Sequence, residues 1–101
     1  MSQQEIREQI LDAVSVERQR QQGLWGNAFD DLNTPNDWAT YISNYVSAAV
    51  YDGRKQVYTP ERFRENMLKA ITIGVAAIET LDRNGSLAKR HYDREGNNNG
   101  K

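Results

Sequence analysis

A chain of 101 residues has room for one small domain with one core, in the size range where association with another chain adds appreciably to stability. Its 13 basic and 14 acidic residues leave a net charge of −1, so nothing in the bulk electrostatics draws it to nucleic acid or to an anionic membrane. Zero cysteines exclude a disulfide framework and a thiolate metal site, and no motif asks for a cofactor.

The opening MSQQEIREQI is polar and lacks the apolar core of a signal peptide, and the longest mostly apolar run, 70–78, is too short to span a bilayer. A cytoplasmic protein is the expectation. Ser2 with Glu5 three residues later is a capping box, which predicts that the first helix starts there. Its apolar residues Ile6, Ile10, Leu11 and Val14 form a narrow stripe. The wholly polar ERQRQQ that follows predicts fraying or a surface position. From Gly23 to Asn33 glycines and Asn/Asp clusters appear without a period, which predicts a loop, with Trp25 and Phe29 plugging it onto the helices.

Thr34-Pro35 starts the second helix, a hydroxyl cap followed by proline where its missing N–H does no harm, with Asp37 at the positive helix end. Trp38, Tyr41, Ile42, Tyr45, Val46, Ala49 and Val50 then repeat at helical spacing along one face, and Gly53 is expected as the left-handed stop. After the basic connection Arg54-Lys55, Thr59-Pro60 opens a third helix that should end at Asn84-Gly85. Phe63, Met67, Ala70, Ile71, Val75, Ile78 and Leu81 define its expected buried face, and Ile73, Gly74, Ala76 and Ala77 extend apolarity around most of the circumference. A helix apolar all round must be buried all round. Three helices cannot cover it, so the fold expected is all-α: a helical hairpin plus an N-terminal helix, assembling into a four-helix-type bundle as a homo-oligomer, with Gly74 marking close approach of another helix. Residues 1–85 form this domain, and 86–101 form a polar, aperiodic tail expected to be disordered from Glu95.

The segments ERQRQQGLWG, WATYISNYVSAAV and FRENMLKAITIGVAAIETLD, in that order over roughly 15–84, resemble the MazG-like all-α nucleotide pyrophosphohydrolases, in particular short phage-type forms. The resemblance implies a helical dimer or higher oligomer and a nucleotide site in which glutamates on the Trp-led helix and acids on the later helix hold Mg²⁺. Here those positions are Asn44, Tyr45 and Ala48 on the second helix, and Asn66 and Lys69 on the third, with only Glu65 acidic beside them. The lysine that the family places before Trp25-Gly26 is Leu24. Magnesium requires hard anionic oxygens in near-octahedral array, which this set does not supply. The expected function is therefore a catalytically degenerate MazG-like protein, phage-associated and in the host cytoplasm, that binds and sequesters a nucleotide or nucleotide-derived molecule. Two alternatives stay open: a pyrophosphohydrolase whose ligands have moved to Asp30, Asp31, Asp37 and Glu65, or a protein-binding accessory factor.

The residues that would contact such a ligand are Asn44, Ser47, Glu65, Asn66, Lys69 and Trp25. An ammonium can offset phosphate charge directly, and amides can read a base or ribose edge. The alternative is that the helical polar residues among them are ordinary solvated positions. The tyrosines and Trp38 follow the buried stripe and read as core. His91, the one histidine, has no partner at informative spacing, and Asp30-Asp31 reads as a capping turn before a cation site.

Overall fold

The computed structural model describes residues 1–90, so His91 and the expected disorder from Glu95 lie outside the described residues. Three helices make up most of the described residues: α1, Gln3–Leu32; α2, Pro35–Ala48; and α3, Pro60–Asn84. Between α2 and α3 lies a two-stranded antiparallel hairpin, β1 (Tyr51–Asp52) and β2 (Lys55–Gln56), in which Tyr51 faces Gln56 and Asp52 faces Lys55. The architecture is thus essentially all-helical.

The caps form where the residue chemistry places them. Ser2 and Glu5 close a reciprocal capping box on α1, and Thr34 and Asp37 do the same on α2. Thr59 accepts from the Arg62 amide at the start of α3, and Gly85, at φ 78°, closes its end through an N–H donated to the Leu81 carbonyl.

Four expectations are corrected. The Gly23–Asn33 stretch is helical, interrupted at the single residue Gly26, whose φ of 76° and ψ of 173° bend the chain back on itself. A backbone at positive φ is inexpensive only for glycine. Trp25 and Phe29 do not plug that segment down; they stack on each other at 6.1 Å and stay half-exposed. The polar run after Val16 does not fray, because Arg18 and Gln21 continue the buried stripe of Val14 by one and two turns. Gly53 does not stop α2, which ends at Ala48; it takes the first loop position of the hairpin, where its φ of 63° suits a tight two-residue turn.

The buried side of α3 also differs from the expected face. Ala70, Thr72, Ile73, Ala76 and Thr80 are buried, whereas Phe63, Ile71, Ile78 and Leu81 are exposed. Threonines are tolerated inside because each hydroxyl donates to the carbonyl four residues back, Thr72 to Leu68 at 2.7 Å and Thr80 to Ala76 at 2.8 Å. An added Cβ at Gly74 would meet nothing within 4 Å, so no helix of the same chain approaches it closely.

Helix α3 is the centre of the molecule: α1 and α2 each pack on it, and their backbones do not pack on one another. The core is small, with Trp38, Ile73 and Ala76 at its centre and Tyr41, Ile42, Tyr45, Ala77 and Leu87 packed around them. Leu87 lies beyond the expected domain boundary at residue 85. Dimensions of 58 × 34 × 24 Å and a radius of gyration of 16.5 Å exceed the ~13 Å of a compact chain of this length. Such a shape leaves Ile6, Ile10 and Leu11 of α1 in solvent along with the outer face of α3.

Candidate ligand cavity

The gap between α1 and α2 over α3 is a cavity of about 400 Å³, within the usual range for small-molecule sites. Arg18, Gln21 and Trp25, at helical spacing on α1, form one wall, and Phe29, Asp30 and Asn33 fold over it from beyond the Gly26 bend. Trp38, Tyr41, Asn44 and Tyr45 on α2 form the opposite wall, and Ile73 and Ala76 of α3 make the floor. The lining is largely aromatic, with Trp38 and Tyr41 edge to face at 6.3 Å.

A buried ion pair holds the bend. Arg18 donates through Nη2 to Asp30 Oδ2 at 2.9 Å and through Nε to Glu79 Oε1 at 2.6 Å. Arg18 and Asp30 are more than nine-tenths buried, while the Glu79 carboxylate is half-exposed. Burial pushes the Arg18 guanidinium toward losing its proton, but the hydrogen bonds it donates to Glu79 and Asp30 outweigh it and leave the group more firmly protonated than usual. Nearby, Arg83 and Asn84 both donate to Asp31 Oδ1, tying the arm after the bend to the end of α3.

Two buried donors, on residues that line the cavity, have no partner among the described residues. Tyr41 donates its hydroxyl to Asn33 Oδ1 at 3.2 Å, but Asn33 Nδ2 and Trp38 Nε1 are sealed from solvent and make no hydrogen bond. Leaving a buried donor unpaired costs about 1–3 kcal/mol.

The sequence-derived site residues divide. Trp25 and Asn44 line the cavity. Lys69 sits at its edge, its Nζ 5.9 Å from the centre of the Tyr45 ring and 3.5 Å from Glu65 Oε1. Ser47 and Glu65 are exposed outside the cavity, and Asn66 turns its amide to the Arg62 carbonyl at 3.0 Å. Arg18, Gln21, Phe29, Asn33, Tyr41 and Tyr45 were not among them. Spacing alone could have found two of these, Arg18 and Gln21, since they fall on one helical face with Val14 and Trp25 once α1 is continued.

The residues do not fit a magnesium ion. Among the described residues no three His, Cys, Asp or Glu gather closely enough to hold a metal. The four carboxylates of the relocated-ligand alternative have four separate partners: Asp30 takes Arg18, Asp31 takes Arg83, Asp37 caps the Thr34 amide, and Glu65 takes Lys69.

Acid should loosen this molecule. The Arg20 guanidinium holds Glu17 below its ordinary 4.5, and Arg83, with Asn84, holds Asp31 below 3.8. A depressed folded-state value means the contribution is complete above the unfolded value and is lost as pH falls through the folded one. The melting temperature should therefore hold from pH 7 to 5 and drop below 4, and Arg20→Gln should flatten the Glu17 part of that drop. An acid limb unchanged in Arg20→Gln would remove Glu17 from the account.

Comparison with family models, with curated proteins and with solved structures matches none of them to this chain. Among the described residues no helix is long and apolar enough to cross a membrane.

Proposed function

We propose that this chain binds a nucleotide or nucleotide-derived small molecule in the three-helix cavity and does not hydrolyse it, as a catalytically degenerate, phage-associated MazG-like protein that sequesters its ligand. The observation that carries this reading is the cavity of about 400 Å³ walled by Trp25, Phe29, Trp38, Tyr41 and Tyr45. Aromatic faces suit a planar ring. Lys69 beside Tyr45 supports a place for phosphate at the rim. Binding without turnover is supported by the scattered carboxylates, which among the described residues form no cluster to bridge a metal to a phosphate.

Association of identical copies belongs to the same reading. Phe63, Met67 and Ile71 of α3 join Ile10 of α1 around a shallow apolar groove of about 180 Å³ that none of the described residues fills. The accessory-factor alternative draws on the same exposed surface, but it leaves the cavity without a purpose.

A thermal-shift screen against common nucleotides, with and without Mg²⁺, tests the proposal. A ligand at about a hundredfold excess over its Kd should stabilise by ~2.7 kcal/mol, equally in magnesium and in EDTA, with no pyrophosphate released. Magnesium-dependent turnover above a buffer blank would restore the enzyme reading. A flat screen would favour the accessory factor.

A further inference from the structure

Along α2 the cavity wall passes from Trp38, which is buried, to exposed Asn44 and half-buried Tyr45, so the charged part of a ligand stays in water at the Tyr45 end. Two cations flank that end. Lys69 Nζ lies 5.9 Å from the centre of the Tyr45 ring, and Arg20 is within electrostatic reach of the same residue. Both are already engaged. Arg20 donates through Nε to Glu17 Oε1 at 2.9 Å and through Nη2 to Glu17 Oε2 at 2.6 Å, a two-pronged pairing that takes both carboxylate oxygens. Gln21, which lines the cavity, donates through Nε2 to Glu17 Oε2 at 3.2 Å. Lys69 meets Glu65 at 3.5 Å, a longer contact to an exposed carboxylate.

Glu17 is thus a fixed anion beside the Tyr45 end. The Arg20 hydrogen bonds keep its carboxyl below the ordinary value, and Lys69 adds a smaller pull from α3. Deeper in, Arg18 stands against two carboxylates, Asp30 and Glu79, so that group carries a net negative charge. With Arg20 set against Glu17 and Lys69 against Glu65, no positive excess is left to receive a highly charged tail. A phosphate monoester carries about −1.5 to −2 at pH 7, and Lys69 can turn to it by giving up the long contact with Glu65. Further phosphates would require Arg20, which must first give up both bonds to Glu17, and the released carboxylate then repels the tail. Among the described residues no cluster holds a metal that would offset the charge instead.

We propose that the cavity takes a nucleoside monophosphate and discriminates against the corresponding triphosphate, with Glu17 as the residue that sets the limit. This rests on the reading of the cavity as a nucleotide site and adds the charge class of its ligand.

Titration calorimetry in EDTA with adenosine, guanosine, cytidine and uridine, and with their mono- and triphosphates, tests it on the unaltered protein. For a base that binds, the monophosphate should bind at least about tenfold more tightly than the triphosphate. Glu17→Gln keeps an acceptor for Arg20 but removes the charge. Triphosphate affinity should then rise by about ten- to a hundredfold, the range of one charge-assisted hydrogen bond, and the gap should close. Glu8→Gln removes the same charge from an exposed position nearer the start of α1, and should leave the gap as it is. Circular dichroism melts confirm that both variants fold; should Glu17→Gln fail to, the parent series still decides. A triphosphate that binds the parent as tightly as the monophosphate, or a monophosphate that binds more weakly than its nucleoside, overturns the inference while leaving the cavity reading intact. A gap unchanged in Glu17→Gln, or one that closes equally in Glu8→Gln, overturns the role of Glu17. No binding of any nucleoside or nucleotide by the parent overturns the cavity reading and the inference together.

Discussion

Arg18→Ala should lower the free energy of unfolding by about 3–5 kcal/mol, because it leaves the buried Asp30 carboxylate without its cation. The effect should exceed that of any exposed ion pair in the molecule, Arg83 with Asp31 included, since exposed pairs contribute about 0–1 kcal/mol. Chemical denaturation of Arg18→Ala, Asp30→Ala and the double variant measures it. Removing both partners should be far less damaging than the sum of the single losses, for the penalty lies in the stranded charge. A loss under 1 kcal/mol in Arg18→Ala would mean that Asp30 reaches water and that the bend after Gly26 is not held by this pair. The same variant should abolish ligand binding, because Phe29, Asp30 and Asn33 reach the cavity only through that bend.

Ile71→Glu combined with Ile78→Glu should convert the proposed oligomer to monomer. Both side chains are exposed in the single chain, at 46% and 62%, so the substitutions leave the monomer fold intact. In a packed interface each would replace a buried apolar group, worth ~1.5–3 kcal/mol, by an unpaired charge. Two per chain should weaken association by about a thousandfold or more, read by sedimentation velocity across a concentration series. Gly74 lies between them on the same face, and a Cβ there meets open space within the chain. Gly74→Ala would thus stabilise an isolated helix by roughly 1 kcal/mol; a drop in stability instead is the mark of a second copy's helix lying close. A parent protein that sediments as a monomer throughout would refute the assembly. Ala77 is unsuitable for this test, since it packs against the chain's own core and a charge there would damage the monomer.

Much of the fold was legible because it is written in local chemistry. Ser2 with Glu5, Thr34-Pro35 with Asp37, Thr59-Pro60 and Gly85 act within a turn of themselves, so the three helices start, and the last one ends, where those residues demand. The bend at Gly26 was not legible in the same way. A glycine among Asn and Asp reads equally as a loop or as one break in a helix, and only the pull of Arg18 on Asp30 and Arg83 on Asp31 across the bend decides between them.

Of the candidate site, Trp25 and Asn44 could be found from the sequence, while the ring of aromatics and the Asn33–Trp38 donors could not. Trp38, Tyr41 and Tyr45 lie on an apolar stripe whatever their purpose, and a stripe does not say whether its neighbours close over it or leave a gap. Sequence by itself determined the helical class and the caps, because composition and short-range spacing are properties of the chain alone. Tertiary structure decided which face of α3 is buried, left α1 and α2 apart so that a cavity forms, and buried two donors without partners. Those outcomes depend on which residues distant in the chain reach each other, a long-range balance of packing, charge pairing and hydrogen bonding that no local pattern encodes.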